Sequence, residues 1–595
     1  MHTVDYAVVL IYLALMVLIG IKTRNSSLDI SDYIRMGNKS TWWMAGFSIF
    51  MGTFSAATFT GIAGSAFLAG WSVLITPLCG ALGFFLQAAI FAPLLRRTRA
   101  VTPLDAVKLR FGAAAEQVKV YVSTLTSFFF AGFFLLGFAT FASAIFGIPM
   151  WIIIIVMGLI VVYYSVSGGT WSVQITDSLQ ALILIPVTVA FAILCLVRVG
   201  GIDGLFEGIQ TAGLGKDYAL FKPPDYEYTS PLPVRKGNFT LLWAVASVFN
   251  GIIAAISINS AHRYLSLRDE SSARKAAFLA GMLMVCGCVI WFIPPIVGRL
   301  VFEADIEAIR GIPNPADSAY AVTAMKLLPP GLLGLIFICM MAATMSSMDG
   351  FLTGTSGYIV RNLFLPLRKT LGKQDIEPRR VLRITRFTNL ALGLWAIFMA
   401  FVLNEIAGQS GMFEVMQTIV TVIGAPAALP FALSLVYRRI PLWGLFAGIG
   451  CGLATSVTLF TLRGRGLMIE WGYEVFMMTA ACVLPTLISS IWWNRSSPRF
   501  RDHVNTFFDT IHRPINADEE VGAHVDSQLL KSVGTMVLGV ATLILVLLFW
   551  CANQAEVLTV LGISGFLFLV GGFMLWKSRE APTREELEAV SRKPD

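Results

Sequence analysis

The chain is short of charge. Lys, Arg, Asp and Glu together make up 13% of its 595 residues, and residues 40–95 contain none of them. A soluble domain carries roughly a quarter charged residues, so this composition excludes an ordinary soluble fold. Histidine is scarce, with five residues, and the eight cysteines (Cys79, Cys195, Cys286, Cys288, Cys339, Cys451, Cys482 and Cys551) lie in or at the edge of apolar stretches. They indicate neither a disulfide framework nor a zinc site, and Cys286-x-Cys288 sets its two thiols on different faces of a helix. No nucleophile constellation, metal cluster or nucleotide-binding loop stands out; pairs such as Gly168-Gly169 read as turns, which argues against an enzyme and against any cofactor. The formal charge of +8 is dispersed rather than gathered into one patch, which argues against a nucleic-acid partner.

What the chain has is hydrocarbon. Hydrophobic residues make up 56% of it and the mean hydropathy is +0.73. About 20 apolar residues cross a bilayer as a helix, and fifteen stretches qualify, near 5–22, 42–66, 71–95, 118–147, 150–167, 174–198, 240–262, 276–303, 331–361, 383–405, 410–437, 440–462, 473–493, 533–552 and 556–576. The first carries Asp5 in place of a basic n-region and lacks an Ala-x-Ala cleavage site, so it reads as a retained helix. Basic residues fall in alternate loops: Lys22 to Lys39, Arg96 to Arg110, Arg263 to Lys275, Arg361 to Arg383, and Arg438-Arg439. Short cytoplasmic loops collect Lys and Arg, which predicts a multi-pass cell-membrane protein with its N-terminus outside and its C-terminus in the cytoplasm. Compact loops suit a bacterial inner membrane.

Residues 327–360 hold one charge, Asp349, just after Ala342-Ala343-Thr344-Met345-Ser346-Ser347. Hydroxyls and a carboxylate at that depth are costly and face a bundle interior, a cavity or an ion path. Two other spans are unusually small and polar: 52–61 (Gly-Thr-Phe-Ser-Ala-Ala-Thr-Phe-Thr-Gly), and Asn250-Gly251 with Ser257-Ile258-Asn259-Ser260. Each opens a group of five spans, and an odd number of spans per group inverts one group against the other. Helices broken at matching places of inverted repeats carry transporter sites. The predicted organisation is an all-α bundle: 1–41 as N-terminal helix and link, 42–198 and 240–437 as inverted repeats around an extracellular loop 199–239, 438–493 as additional helices, 494–531 as a solvated cytoplasmic connector, 532–576 as two C-terminal helices, and a tail 577–595.

Four motifs in consistent order, Ser31-Asp32-Tyr33 to Trp42-Trp43, Tyr164-Ser165-Val166-Ser167-Gly168-Gly169 to Gln180, His262-Arg263-Tyr264-Leu265-Ser266 and Ala343 to Ser347, resemble the sodium:solute symporter family. The resemblance covers about 5–465 and implies a leucine-transporter-like fold of five plus five inverted helices, with one helix before them and about four after. It implies a secondary active transporter whose sodium is held by carbonyls of Met51, Phe54 and Ala343 and hydroxyls of Ser346 and Ser347. Sodium is a hard cation that takes oxygen ligands, and a broken helix exposes carbonyls that no neighbour satisfies. Asp177, the only charge between Lys119 and Arg198, matches an Asp of the family near the sodium exit and could also cap a helix N-terminus. Some members add a second sodium with this Asp and a serine where Ala343 stands, a departure that favours one sodium per cycle. Asp349 reads as an ion or proton relay, or as a structural hydrogen-bonding group.

For the solute, the resemblance points to Thr53, Ser55, Thr58, Ser257, Asn259 and Gln417. Thr53-x-Ser55-x-x-Thr58 reproduces the pattern of organic-acid members, while the third repeat helix lacks the Arg some of those use. The lining is thin in polar groups for a hexose, and monocarboxylate, amino acid or small polyol stay open. Partners are then sodium, a small solute and the lipid bilayer. Two alternatives remain at this stage: a proton-coupled symporter using Asp349 or Asp177, and a solute-binding membrane sensor, for which no output sequence follows the last helix.

Overall fold

The computed structural model describes residues 2–23, 34–256, 261–374, 376–407, 411–467, 469–521, 527–551 and 553–580. Among these the chain is helical almost throughout, with a single bridge between Ser40 and Leu267. The main helices are α1 (Thr3–Thr23), α2 (Trp42–Thr53), α3 (58–69), α4 (75–97), α5 (Ala113–Phe146), α6 (Met150–Arg198), α7 (Leu241–Ala255), α8 (Glu270–Val301), α9 (Leu332–Tyr358), α10 (Pro378–Ala407), α11 (Met412–Val436), α12 (Leu442–Gly464), α13 (Trp471–Ile488), α14 (Pro498–His512), α15 (Ser527–Leu545) and α16 (Gln554–Glu580). Eleven helices among the described residues are long and apolar enough to cross a membrane.

Local chemistry sets the ends. Asp269 accepts the Ser272 N–H at 2.6 Å to open α8, Thr240 accepts the Trp243 N–H at 3.2 Å to open α7, and Gly147 closes α5 at φ 65°. The expected spans 150–167 and 174–198 differ from what forms: α6 runs on for 49 residues without a break. At about 1.5 Å per residue that is more than twice the thickness of the bilayer core. Its first half packs on α10, where Val162 abuts Gly393, and its second half meets α2, where Ser48 donates to Asp177.

The helices sort into a core and a shell. The best apolar window of the span through α9 is 100% buried and those of α5 and α11 are 83% buried, against 33% for α12 and 28% for the span through α13. A site shielded from lipid therefore belongs to α9, α5, α11 and the broken α2–α3. Small residues let these backbones approach: a methyl on Gly137 of α5 would lie 2.7 Å from Ala57 Cα.

The basic loops meet at one end of the bundle. There Arg96 donates to Leu267 O at 2.6 Å, Arg97 pairs with Glu270 at 3.0 Å, Arg361 with Asp105 at 3.1 Å and Arg99 with Glu520 at 2.7 Å. The expected solvated connector is here a docked amphipathic helix, because 498–512 turns Val504, Phe507, Phe508 and Ile511 to one face and buries them. At the other end Asp5 accepts N–H groups of Gly331 and Gly334 at 2.7 and 2.9 Å, and Lys222 donates to Ala69 O at 3.0 Å.

Candidate functional site

The α2–α3 pair is one span interrupted in the bundle core. Gly52 weakens the helix, and Thr53 competes with it by bonding its own hydroxyl back to Phe50 O at 2.9 Å. Phe54 then adopts an extended conformation, its N–H held only by Met51 O at 3.3 Å, and the helix resumes after a turn in which Thr58 N–H reaches Ser55 O at 2.9 Å. The Met51 and Phe54 carbonyls are left facing α9.

Across the gap, Ser347 Oγ lies 3.1 Å from both Met51 O and Phe54 O. Ala343 and Ser346 sit beside it on the same buried helix, one turn and one residue earlier. Ser346 Oγ has no hydrogen-bond partner although Asp177 is its neighbour. Asp177 accepts a short hydrogen bond from Ser48 of α2 and lies 3.8 Å from the Arg263 guanidinium. Being in the middle of α6, it caps no helix. Asp349, 1% exposed, is one turn beyond Ser346 with its Oδ1 unpartnered. The five expected ligand residues and both carboxylates thus fall in one neighbourhood, built from α2, α6 and α9.

On the opposite face of the break lies a cavity of about 190 Å³. Thr53, Ser55, Thr58 and Gln417 line it, and Gln417 Oε1 has no partner. Ser257 and Asn259 lie outside the described residues. The walls are chiefly Phe130, Phe133, Phe134, Phe351, Met284 and Trp471. Several polar groups are already committed: Ser247 bonds back to Trp243 O at 2.9 Å, and Asn250 accepts from Thr421 at 3.1 Å. Behind the wall residue Trp471, Trp243 packs at 5.9 Å, with Phe413 stacked on Phe239 at 5.9 Å and against Trp243 at 6.3 Å. Above it, Asp317 accepts the Met412 N–H at 2.9 Å.

Sequence reasoning had no means of finding Ser48, which stands in a charge-free run without a motif, or the aromatic walls, which come from helices far apart in the chain. Arg263 was visible in a motif without a role. In the structure it lines the cavity and is wedged between helices: a methyl on Gly52 would be 2.1 Å from its Nη1, and one on Gly350 2.6 Å from its Nη2.

Comparison with known proteins bears on the family and the fold. Residues 33–452 match the family profile described as "Sodium:solute symporter family". The chain is 26% identical over 572 residues to Sodium/myo-inositol cotransporter 2 of Sus scrofa, covering 87% of this chain and 80% of that protein. It is 23% identical over 523 residues to Sodium/glucose cotransporter 1 of Mus musculus, covering 79% and 74%. A solved structure described as the substrate-bound outward-open state of a Na+-coupled sialic acid symporter superposes with a TM-score of 0.68 at 18% identity, covering 84% of this chain and 99% of that one, a likeness of fold.

Proposed function

The chain belongs to the sodium:solute symporter family, and on that premise we propose that it carries a small polar organic solute across the membrane with sodium by alternating access. Members of this family are transporters, not enzymes, and the coupling ion takes the place of a cofactor. In this reading sodium is held by the Met51, Phe54 and Ala343 carbonyls and the Ser346 and Ser347 hydroxyls, with Asp177 supplying negative charge nearby.

One observation carries the reading: two carbonyls at a helix break converge on a single serine hydroxyl in the buried core. A hydroxyl has one proton to give, so it satisfies one carbonyl well and the other poorly. Sodium accepts lone pairs from all three oxygens at once. Ser347 rotates its proton away, and the unpartnered Ser346 Oγ gains a partner. The site bridges α2 and α9, so an ion there favours the conformation in which these helices are apposed. The solute cavity shares the segment 52–58 with it, which makes the effect of ion on solute, and of solute on ion, one reciprocal coupling energy. Thr53, Ser55, Thr58 and Gln417 orient the solute, with Ser257 and Asn259 assigned the same role from the sequence pattern. The halves 42–198 and 240–437 act as the rocking repeats, and the basic end, with 494–531, faces the cytoplasm.

The test is thermal stability of the purified protein in sodium, potassium and choline. A sodium-specific rise supports the reading, and equal stability in all three counts against it. Asp349, buried with Oδ1 unpartnered, favours a second reading, proton coupling through that residue. Stabilisation that follows pH alone and ignores the cation would favour that alternative.

A further inference from the structure

We propose that the protein binds a phosphatidylethanolamine molecule in a furrow on the flank of the bundle, between the ends of α10, α11 and α12, with an acyl chain lying against the back of the solute cavity. Such a site needs only insertion in a bilayer and stands whether or not sodium is the coupling ion.

The furrow encloses about 730 Å³. Because α10 starts from the basic loop 361–383, its last turns, with Leu403 and Ile406, place the furrow at the end of the bundle away from the basic loops. Its depth is that of one leaflet. The lining supplied by α11 runs from Glu414 to Ile423, about 14 Å at 1.5 Å per residue, and Phe129 stands midway along α5. Half of a bilayer core of about 30 Å is about 15 Å. Below the mouth the walls are hydrocarbon: Phe129, Leu403, Ile406, Ile419, Ile423 and Phe460. Ile406 is 61% exposed and Phe460 46%, so the furrow opens sideways, and Leu394 and Phe398 of α10 and Val457 of α12 are exposed on the same two helices. Exposed apolar surface of this kind on a membrane-spanning helix meets lipid.

Charge is confined to the mouth, where Arg235, Lys236 and Arg463 stand with Glu414 and Glu470. Glu474, with its side chain 1% exposed, fixes both arginines: Arg235 Nη2 donates to it at 3.0 Å and Arg463 Nη2 at 2.5 Å, while Arg463 Nη1 donates to Thr418 Oγ1 at 3.1 Å. Lys236 pairs with Asp225 at 2.7 Å, both side chains mostly in water, where such a contact is weak. A mouth of both signs suits a head group of both signs. The phosphate sits at Lys236, and the primary ammonium donates to Glu470 and Glu414 as charge-assisted hydrogen bonds. A purely anionic head group leaves both glutamates facing negative charge, and a trimethylammonium has no N–H to give them.

The furrow and the solute cavity share their walls. Val415, Thr418 and Ile419 of α11 line the furrow and Met416, Gln417 and Val420 the cavity, while Phe129 and Phe130 divide α5 in the same way. An acyl chain in the furrow fills the space behind that common wall.

Native mass spectrometry of the delipidated full-length protein tests this, with dioleoyl phosphatidylethanolamine, phosphatidylglycerol and phosphatidylcholine offered in equal amounts. The expected result is one retained lipid, phosphatidylethanolamine, favoured over each of the others by about fivefold or more. Glu470→Lys should turn the preference toward phosphatidylglycerol. Ile406→Trp, which fills the furrow from an exposed position, should cut phosphatidylethanolamine retention by about fivefold, whereas Leu558→Trp, at an exposed position on α16, should leave it unchanged. On the wild-type protein, with no variant required to fold, equal retention of the three lipids, a preference for either of the other two, or no retained lipid would overturn the proposal. So would retention undiminished in Ile406→Trp, an equal loss in Leu558→Trp, or an unaltered preference in Glu470→Lys.

Discussion

The oxygen crevice at Met51, Phe54 and Ser347 and the aromatic cavity beside it share one wall, the segment 52–58, and recognise by opposite means. The crevice is built from backbone carbonyls and hydroxyls of two short segments, 51–54 and 343–347, each contiguous in the chain although nearly 300 residues apart. The cavity gathers side chains from α2 to α5, α7, α8, α9, α11 and α13. Its identity lies in which rings happen to meet. In the proposed reading, ion recognition is thus a property of two short segments at a helix break, whereas solute recognition is a property of the whole bundle.

Substitution at the shared wall should do the most damage. Gly52→Val puts carbon where Arg263 Nη1 lies, 2.1 Å from the first added atom, and overpacking of this kind costs about 3 kcal/mol. Transport should be abolished and chemical denaturation should shift by that amount. If instead either sodium or solute binding survived intact, the two sites would not share a wall in the way described.

Separating the sites comes next. Replacing both Ser346 and Ser347 by Ala removes two ligands at about 1 kcal/mol each, a loss of roughly thirtyfold in sodium affinity, read by titrating sodium against thermal stability. On the other side, Gln417→Leu removes an unpartnered cavity acceptor. Solute affinity should fall roughly fivefold, about 1 kcal/mol, with the sodium titration unmoved. A sodium shift in the Gln417 variant would blur the comparison.

The smallest effect concerns Asp317, which holds the Met412 N–H at the start of α11. Burial pushes the Asp317 carboxyl up to about 7, against the pull of the Met412 N–H. A carboxyl raised in this way holds its proton more tightly when docked than when solvated. Its contribution is therefore present below its solvated value near 4 and is lost as pH rises through about 7. Stability measured from pH 4 to 8 should decline over that window, and Asp317→Asn should flatten that part of the decline.

The sequence made the crevice legible because its parts are contiguous: a Gly-Thr break in a charge-free run, and a double serine in a buried span. Asp177 was legible as a lone charge over 78 intervening residues, although its place in mid-helix was not, because α6 runs on where Gly168-Gly169 suggested a turn. Of the expected solute residues, Thr53, Ser55, Thr58 and Gln417 line one cavity, while Ser257 and Asn259 fall outside the described residues. Arg263 had no readable role because nothing in its own neighbourhood says that Gly52 and Gly350 open a space for it. The docked face of 498–512 was not legible for another reason: its apolar residues are few, and only helical spacing brings Val504, Phe507, Phe508 and Ile511 to one face.

Radiolabelled sodium binding to the purified protein, compared between wild type and the Ser346→Ala/Ser347→Ala double variant, tests the central claim most directly. Saturable binding that competes with unlabelled sodium, is indifferent to potassium, and is lost in the double variant while surviving in Gln417→Leu is the predicted result. Undiminished sodium binding without the two hydroxyls would contradict the account.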